Sequence, residues 1–593
     1  MSSNSLAPDV ADSHTRVWGI PVSYVLTGIL ALTALAYITT LSFPFVYDDE
    51  VQIVGNQLIE KWHFVPYYFG ISVWAHVNPH QAGQYYRPIF MLWMRLNQAL
   101  FGFHAIGWHL ISVAMHVLAT FLVYRLVRRL TLREDVALIA AAIFGLHPIH
   151  IEVVAWVSGA TESLFAIMLL LSLLFFLDWR EGRPNARIYC LSFFMLTMLS
   201  KETGVLMAPL VFVYCWLYPH AKDKPWLRRF WSSLLSSVPF LVIIAAYLYV
   251  RVLVLHAILY EFHPLTLKTH LLTIPSVLWF YIRLLIWPAG LSAFYDTPYI
   301  EHATLTQFWL PLAGVLLTIL GVFYWWWKTR DREIVFASAL LALPLAPLMK
   351  FTVFIEGEIA HDRYLYVPSI AFAWLAAKGI MALSEKGRRS SWGALSAPRM
   401  PLLATAALSI VFLCLTIWQS QYWANNLVLY YRGLNIAPHN LLVINNLANE
   451  FEHRKMYREA IAEYFKVLER NPLFYLANYN LGFTFYESGD YKQGEHFLKR
   501  AAALDNTDAG TFYYIALCNI KLGDLKEAEE NLREAIHVDP RLVGPRYKLG
   551  ELLKQEGRNA EALEYFKAEL ERAPNDEKSR AAIQELQGKI AQD

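Results

Sequence analysis

Residues 17–50 read VWGIPVSYVLTGILALTALAYITTLSFPFVYDDE, an uncharged run closed by three carboxylates, Asp48, Asp49 and Glu50. Its apolar part, 17–41, exceeds the roughly 20 residues that cross a bilayer as a helix. It also lacks the small-residue cleavage site that ends a signal peptide. The segment is therefore expected to stay as a membrane anchor and to leave the acidic trio at the membrane surface. Three adjoining carboxylates repel one another there and lose hydration, so they are expected to be paired or used. A trio that merely ends a span in water is the plain alternative.

Outward from this stretch, the composition describes a membrane protein with a soluble part. The 593 residues are 56% hydrophobic and 15% aromatic, with 51 Lys plus Arg against 49 Asp plus Glu. That excludes disorder and an ordinary soluble domain. The first 440 residues hold 53 of the charges and the last 153 hold 47, with net charges of +7 and −5. No basic excess of the kind nucleic-acid binding needs is present. Cys190, Cys215, Cys414 and Cys518 lie far apart without a CxxC pair, which suggests neither a zinc knuckle nor a disulfide framework.

Further apolar stretches at 105–124, 136–151, 163–177, 188–200, 204–218, 230–250, 269–287, 305–327, 334–349, 364–383 and 400–420 make twelve candidate spans with the first. Two, 163–177 and 188–200, are short, so flanking charges place them. With the N-terminus inside, the inner loops 125–135, 178–187 and 221–229 hold four, three and four Lys or Arg, as the positive-inside rule requires. Twelve crossings would then put the basic segments 328–333 and 378–399 outside. The stretch 269–287, with Arg283 near its end, is accordingly expected to lie in the interface or re-enter. Eleven crossings leave 19 basic residues on inner loops against 9 on outer ones, and place the C-terminus outside.

The soluble part repeats every 34 residues. With units at 441–474, 475–508, 509–542 and 543–576, a small residue of each first helix falls at Ala448, Gly482, Ala516 and Gly550. Leu447, Leu481, Ile515 and Leu549 precede them. The second helices carry Ala460, Gly494, Ala528 and Ala562, with Tyr464, Leu498, Leu532 and Phe566 four residues later. Pro472, Pro540 and Pro574 close three units. This is the tetratricopeptide pattern, in which small residues let paired helices approach and bulky ones fill the groove. A half-unit at 424–438 leads in and a capping helix at 577–590 closes the array. The division expected is 1–423 in the membrane and 424–593 as repeats. Aromatic residues inside a repeat are first of all packing, although Asn445, Asn446 and Tyr479 on the concave face are candidates to bind a peptide.

On the outer side of this topology, polar residues collect beside the membrane. After Asp48, Asp49 and Glu50 come Arg87 and Arg95, then His147, His150 and Glu152, then Glu162, Lys201 and Glu202, and finally His361, Asp362 and Arg363. A Lys-Glu pair at a helix end is ordinarily a surface salt bridge. Two His residues three apart with one Glu nearby resemble a zinc pair only loosely. Together, though, carboxylates and cations from five separate spans converge on one membrane face, a combination suited to a lipid-linked phosphate. Cations hold the phosphate and the charge it gains on leaving, a carboxylate takes the acceptor's proton, and the sugar carbon between them becomes oxocarbenium-like.

Several runs resemble the transmembrane and tetratricopeptide-repeat O-mannosyltransferases and their bacterial relatives. They are Tyr47-Asp48-Asp49, Tyr86-Arg87-Pro88 with Arg95-Leu96-Asn97 and Phe101-Gly102, the run 146–159, Leu199-Ser200-Lys201-Glu202-Thr203-Gly204, and Arg363-Tyr364-Leu365-Tyr366-Val367-Pro368. They stand in the family's order, over about 17–576. The resemblance implies an all-α protein: a GT-C membrane domain of about eleven spans followed by an α-solenoid. It implies an EC 2.4.1 transferase that moves a sugar, usually mannose, from a polyprenyl or dolichyl phosphate to a Ser or Thr hydroxyl with inversion. An acidic motif in the first outer loop is essential in such enzymes. That role falls on Asp48 and Asp49, with Asp48 first as base and Glu50 left open. Arg87, Lys201 and Arg363 would hold the donor phosphate, while His147, His150 and Glu152 would shape the sugar pocket. Glu50, Arg95, Glu202, His361 and Asp362 complete the sugar and acceptor candidates. No cofactor or metal is expected, since the adjacent Asp pair is unlike the metal-using oligosaccharyltransferase branch.

Four repeats, against longer arrays in animal members, and the absence of any Asn-x-Ser/Thr sequon favour a bacterial inner-membrane protein with periplasmic repeats. An endoplasmic-reticulum protein with luminal repeats is the eukaryotic counterpart. Partners implied are the lipid donor, an acceptor protein held in part by the repeats, and the membrane, with no nucleic acid. A transferase or ligase acting on glycans or lipids, and a non-catalytic scaffold presenting its repeats, are the competing readings.

Overall fold

The computed structural model describes residues 16–77, 85–219, 225–256, 264–354, 357–388 and 400–590. Parts of the basic loops at 221–229 and 378–399 thus lie outside the described residues. The chain folds as two compact units, Met1–Pro438 and His439–Asp593. Among the described residues both are helical apart from a two-residue antiparallel pairing of Arg16–Val17 with Ile20–Pro21. The segment 424–438, which the sequence attaches to the repeats, falls in the first unit.

That unit is built from apolar helices because its sequence gives a backbone in lipid no other way to satisfy its polar groups. Among the described residues, eight helices are long and apolar enough to cross a membrane: Val22–Ser42, Ala105–Thr131, Val157–Arg180, Trp226–Leu255, Leu267–Ile286, Leu305–Thr329, Arg332–Met349 and Met400–Trp423. The protein is a multi-pass membrane protein. Val157–Arg180 is the core helix, with 78% of its apolar window buried, whereas Leu305–Thr329, at 11%, faces outward along most of its surface. Four of the twelve expected stretches take other forms. One is a pair of helices, Glu134–Leu146 and Pro148–Ala155, bent by 50°, and two are the shorter helices Ala186–Ser200 and Glu202–Leu217. The last lies in the helix Pro368–Arg388.

The bend has an identifiable cause. Pro148 has no N–H to continue the helix, the Ile149 N–H turns to His147 Nδ1 at 3.1 Å and the His150 N–H to the His147 carbonyl at 3.3 Å, so the carbonyls of Gly145 and Leu146 lose their helical partners. Side chains replace them: His116 Nε2 lies 3.1 Å from the Gly145 oxygen, and Thr416 Oγ1 donates to the Leu146 oxygen at 2.9 Å.

Ion pairs show which loops share an end. Arg129 meets Asp178 at 3.1 Å, Arg133 meets Glu385 at 3.3 Å, and Lys378 meets Asp331 at 2.6 Å. Arg180 donates to the Tyr218 carbonyl at 2.9 Å. Tyr218 and Asp331 are therefore at one end, and an even number of passages separates them, yet three apolar helices intervene. Leu267–Ile286 is the one whose contacts return it. His270, in its first turn, packs its ring 5.1 Å from that of Phe351, and the Leu285 carbonyl in its last turn lies 3.0 Å from His147 Nε2. Both partners belong to the opposite end. This supports the expectation that 269–287 does not cross and either lies in the interface or re-enters.

The second unit pairs helices in the expected register: Leu441–His453 with Tyr457–Arg470, Tyr475–Ser488 with Tyr491–Leu504, Ala509–Leu522 with Leu525–Val538, and Pro545–Gln555 with Asn559–Arg572, then Glu577–Ile590. The repeat positions Leu481, Ile515, Leu549, Leu498, Leu532 and Phe566 are buried. Gly482 marks the closest approach, since a Cβ there would meet Leu498 Cγ at 2.7 Å and its backbone nitrogen at 2.9 Å. Only hydrogen fits between those two helices.

Candidate active site

The acidic trio lies in a turn just beyond Val22–Ser42. Tyr47 adopts a φ of +57°, a left-handed conformation that a bulky residue keeps only when its surroundings hold it. Its N–H donates to Asn426 Oδ1 at 2.9 Å, and its ring packs on Trp156 and Phe294. The same Asn426 carboxamide, on the helix Asn426–Ile436, donates to Glu50 Oε1 at 3.0 Å. One side chain thus pins the trio on both flanks.

The turn sends the two aspartates in different directions. Asp49 is fully buried and accepts the Ser158 N–H at 2.7 Å and the Ser158 hydroxyl at 2.6 Å, with the N–H groups of Val157 and Val46 each at 3.4 Å. Asp48 instead lines a cavity of about 380 Å³. Among the described residues no group hydrogen-bonds its carboxylate. Burial raises the Asp48 pKa to about 6, the Arg363 charge pulling the other way. Burial likewise raises Asp49 to about 7, against the hydrogen bonds from Ser158 and Val46 and with the charge of Asp48.

Helix breaks bring the cations to the same cavity. The helix Ala186–Ser200 ends, Lys201 turns extended at φ −158°, and a tight 3-10 turn, Glu202–Leu206, begins. Lys201 pairs with Glu162 and lies 5.3 Å over the Tyr364 ring. Arg87, just before the helix Pro88–Phe101, engages Glu202 through Nε at 3.2 Å and Nη2 at 2.8 Å, with its guanidinium 4.3 Å over Tyr85. Arg363 pairs with Glu152, donates its N–H to the same carboxylate at 2.8 Å, and stacks 5.4 Å over Trp156.

Of the sequence candidates, Asp48, Arg87, Lys201, Glu202 and Arg363 line the cavity together. Glu152 stands behind Arg363. The others are placed elsewhere. Glu50 is bound to Asn426, and Arg95 to Gln98 at 2.7 Å under the Trp62 ring. His147 accepts from Ile149 at the bend, which leaves its proton on Nε2, facing the Leu285 carbonyl; His150 Nε2 lies 2.8 Å from Ser369 Oγ. Asp362 accepts from Tyr295 Oη at 2.5 Å, and His361 lies between Glu358 and the Ala293 carbonyl. Arg251, from the apolar helix Trp226–Leu255, lines the cavity and was not picked out by the sequence reading. An arginine inside such a helix is itself the signal that could have found it. Glu162, noted but given no role, lines it too. Among the described residues no group of three or more His, Cys, Asp or Glu is placed to hold a metal ion.

The arrangement can place a carboxylate and several cations around one reacting centre, beside an apolar wall of Val73, Phe90, Leu248, Leu348 and Phe354. Residues 86–250 match the family described as dolichyl-phosphate-mannose-protein mannosyltransferase. Residues 520–577 match the tetratricopeptide repeat, and 453–535 match anaphase-promoting complex, cyclosome, subunit 3. The chain is 26% identical to protein O-mannosyl-transferase TMTC3 of Mus musculus over 605 residues, covering 92% of the chain and 64% of that protein. It is 24% identical to protein O-mannosyl-transferase TMTC1 of Homo sapiens, covering 80% of the chain and 58% of that protein. The chain thus spans less than two thirds of the length of these relatives. They are animal proteins and do not support the bacterial placement expected from four repeats and missing sequons. Among solved structures, YrrB, a TPR protein with an unusual peptide-binding site, is 22% identical with a TM-score of 0.25, covering 27% of this chain and 84% of that one.

Proposed function

We propose that this membrane relative of the transmembrane and tetratricopeptide-repeat O-mannosyltransferases moves mannose from a polyprenyl phosphate to a Ser or Thr hydroxyl of an acceptor protein. The hydroxyl oxygen attacks the anomeric carbon as Asp48 takes its proton. The bond from that carbon to the phosphate oxygen breaks, with inversion. The departing prenyl phosphate keeps the electron pair and gains a negative charge, which Arg87, Lys201 and Arg363 stabilise. The repeats would hold part of the acceptor, on the outer or luminal side.

One observation carries this reading. Asp48 presents an unbonded carboxylate to the cavity that these three cations line, while its neighbour Asp49 is fully occupied by Ser158. The test is transfer of labelled mannose from a lipid phosphate by the purified protein. Asp48→Asn should abolish it, with label from the wild-type reaction found in protein. Full activity in that variant would sink the assignment, and label in lipid or glycan would favour the competing transferase.

A further inference from the structure

The cations assigned to the donor phosphate are each engaged by a carboxylate, and the three pairs are unequal. Lys201 and Glu162 leave only 6% and 7% of their side chains exposed, and Glu152, behind Arg363, only 1%. Glu202 keeps 29% exposure. It meets Arg87 through two nitrogens, the fork geometry by which a guanidinium also takes a phosphate. The Tyr85 ring supports that guanidinium from another side, so its plane does not depend on Glu202 alone. Arg251 adds a second positive charge beside Glu202 and lines the same cavity.

We infer that the Glu202 carboxylate is a built-in stand-in for the donor phosphate. It holds the anion position beside Arg87 and Arg251 and yields it when a prenyl-linked phosphate enters, with Arg251 as a further phosphate ligand. Its return competes with the more highly charged prenyl phosphate left after transfer and speeds its release. No bond is made or broken in the exchange. The inference rests on the donor reading above and goes beyond it in naming the residue that sets donor affinity.

Farnesyl phosphate, titrated calorimetrically into the detergent-solubilised full chain, separates the two. Glu202→Gln should bind it roughly tenfold tighter than wild type and Arg251→Gln roughly tenfold weaker, the scale of one charged hydrogen-bond competitor gained or lost. In turnover, Glu202→Gln should lower both the KM for lipid donor and kcat. Unchanged or weaker binding by a Glu202→Gln protein that melts like wild type overturns the inference. Equal tightening by Glu162→Gln also overturns it, because net charge alone would then suffice. Should Glu202→Gln fail to fold, Glu202→Asp, too short to keep both contacts, carries the same expectation. A wild-type protein that binds no farnesyl phosphate overturns the donor reading itself, whereas wild-type binding without the Glu202 effect sinks only this inference.

Discussion

Ser158 gives both its backbone N–H and its hydroxyl to the carboxylate of Asp49, at 2.7 and 2.6 Å. Both fall on Oδ1, while the N–H groups of Val157 and Val46 face Oδ2, so an Asn at position 49 would turn its NH2 toward one pair of donors or the other and leave buried groups unpaired. Asp49→Asn is expected to cost about 1–3 kcal/mol of stability, read as a lowered melting temperature in detergent. Any activity it loses should fall with its folded fraction.

Asp48 should behave in the opposite way. Its pKa rises from 3.8 to about 6 in the folded protein, so the fold favours the protonated form. That contribution to stability is present below pH 4 and lost as pH rises through 6. Asp48→Asn should therefore melt no lower than wild type at pH 7, and slightly higher, while losing transfer by roughly 10²–10⁴-fold as for a missing general base.

The same shift sets the pH profile. In the proposed role Asp48 works only when ionised, so transfer should be level above about pH 6 and fall about tenfold per unit below it. A curve of kcat/KM against pH, taken with donor well below its KM so that it reports the free protein, checks this, and a flat curve down to pH 4.5 would remove Asp48 from the role.

Glu152 is 2% exposed and takes both the side chain and the N–H of Arg363. Breaking a buried pair by removing one member costs about 3–5 kcal/mol. Glu152→Gln should melt well below wild type, and the double variant with Arg363→Met should recover part of the loss, as thermal unfolding would show.

If Leu267–Ile286 lies in the interface or re-enters, both its ends meet the same compartment. With exposed Cys414 replaced by Ser, single cysteines at Leu267 and Ala289 should react with an impermeant maleimide from one side of sealed vesicles. Labelling from opposite sides would make this helix a crossing; the other native thiols, Cys190, Cys215 and Cys518, are buried.

The repeats were legible because their signal is local. A 34-residue period fixes which Leu, Gly and Phe meet, and the buried positions follow it. The site was legible only in part. Asp48 and Asp49 are neighbours with the same chemistry, and what separates them is Ser158, 109 positions away from Asp49. Arg251 sits in a 30-residue apolar helix, where hydropathy reads it as an interruption rather than a member of the cavity. His147 and His150 look like chemistry in the sequence, yet His147 is spent at the Pro148 bend and His150 on Ser369. The non-crossing reading of 269–287 came first from a charge imbalance in distant loops, because hydropathy measures length and not direction.

Asn426 follows the last apolar helix, Met400–Trp423, and its hold on Tyr47 reaches back 379 positions to the turn after the first. During synthesis the acidic turn leaves the translocation machinery early, and the clamp that fixes it emerges nearly last. Until then the Tyr47 N–H lacks the acceptor, and Glu50 the donor, that Asn426 supplies. A chain inserted only as far as residue 420 would carry every cavity-lining charge and still lack this clamp, so the acidic turn gains its last fixed partner only when the membrane domain is complete.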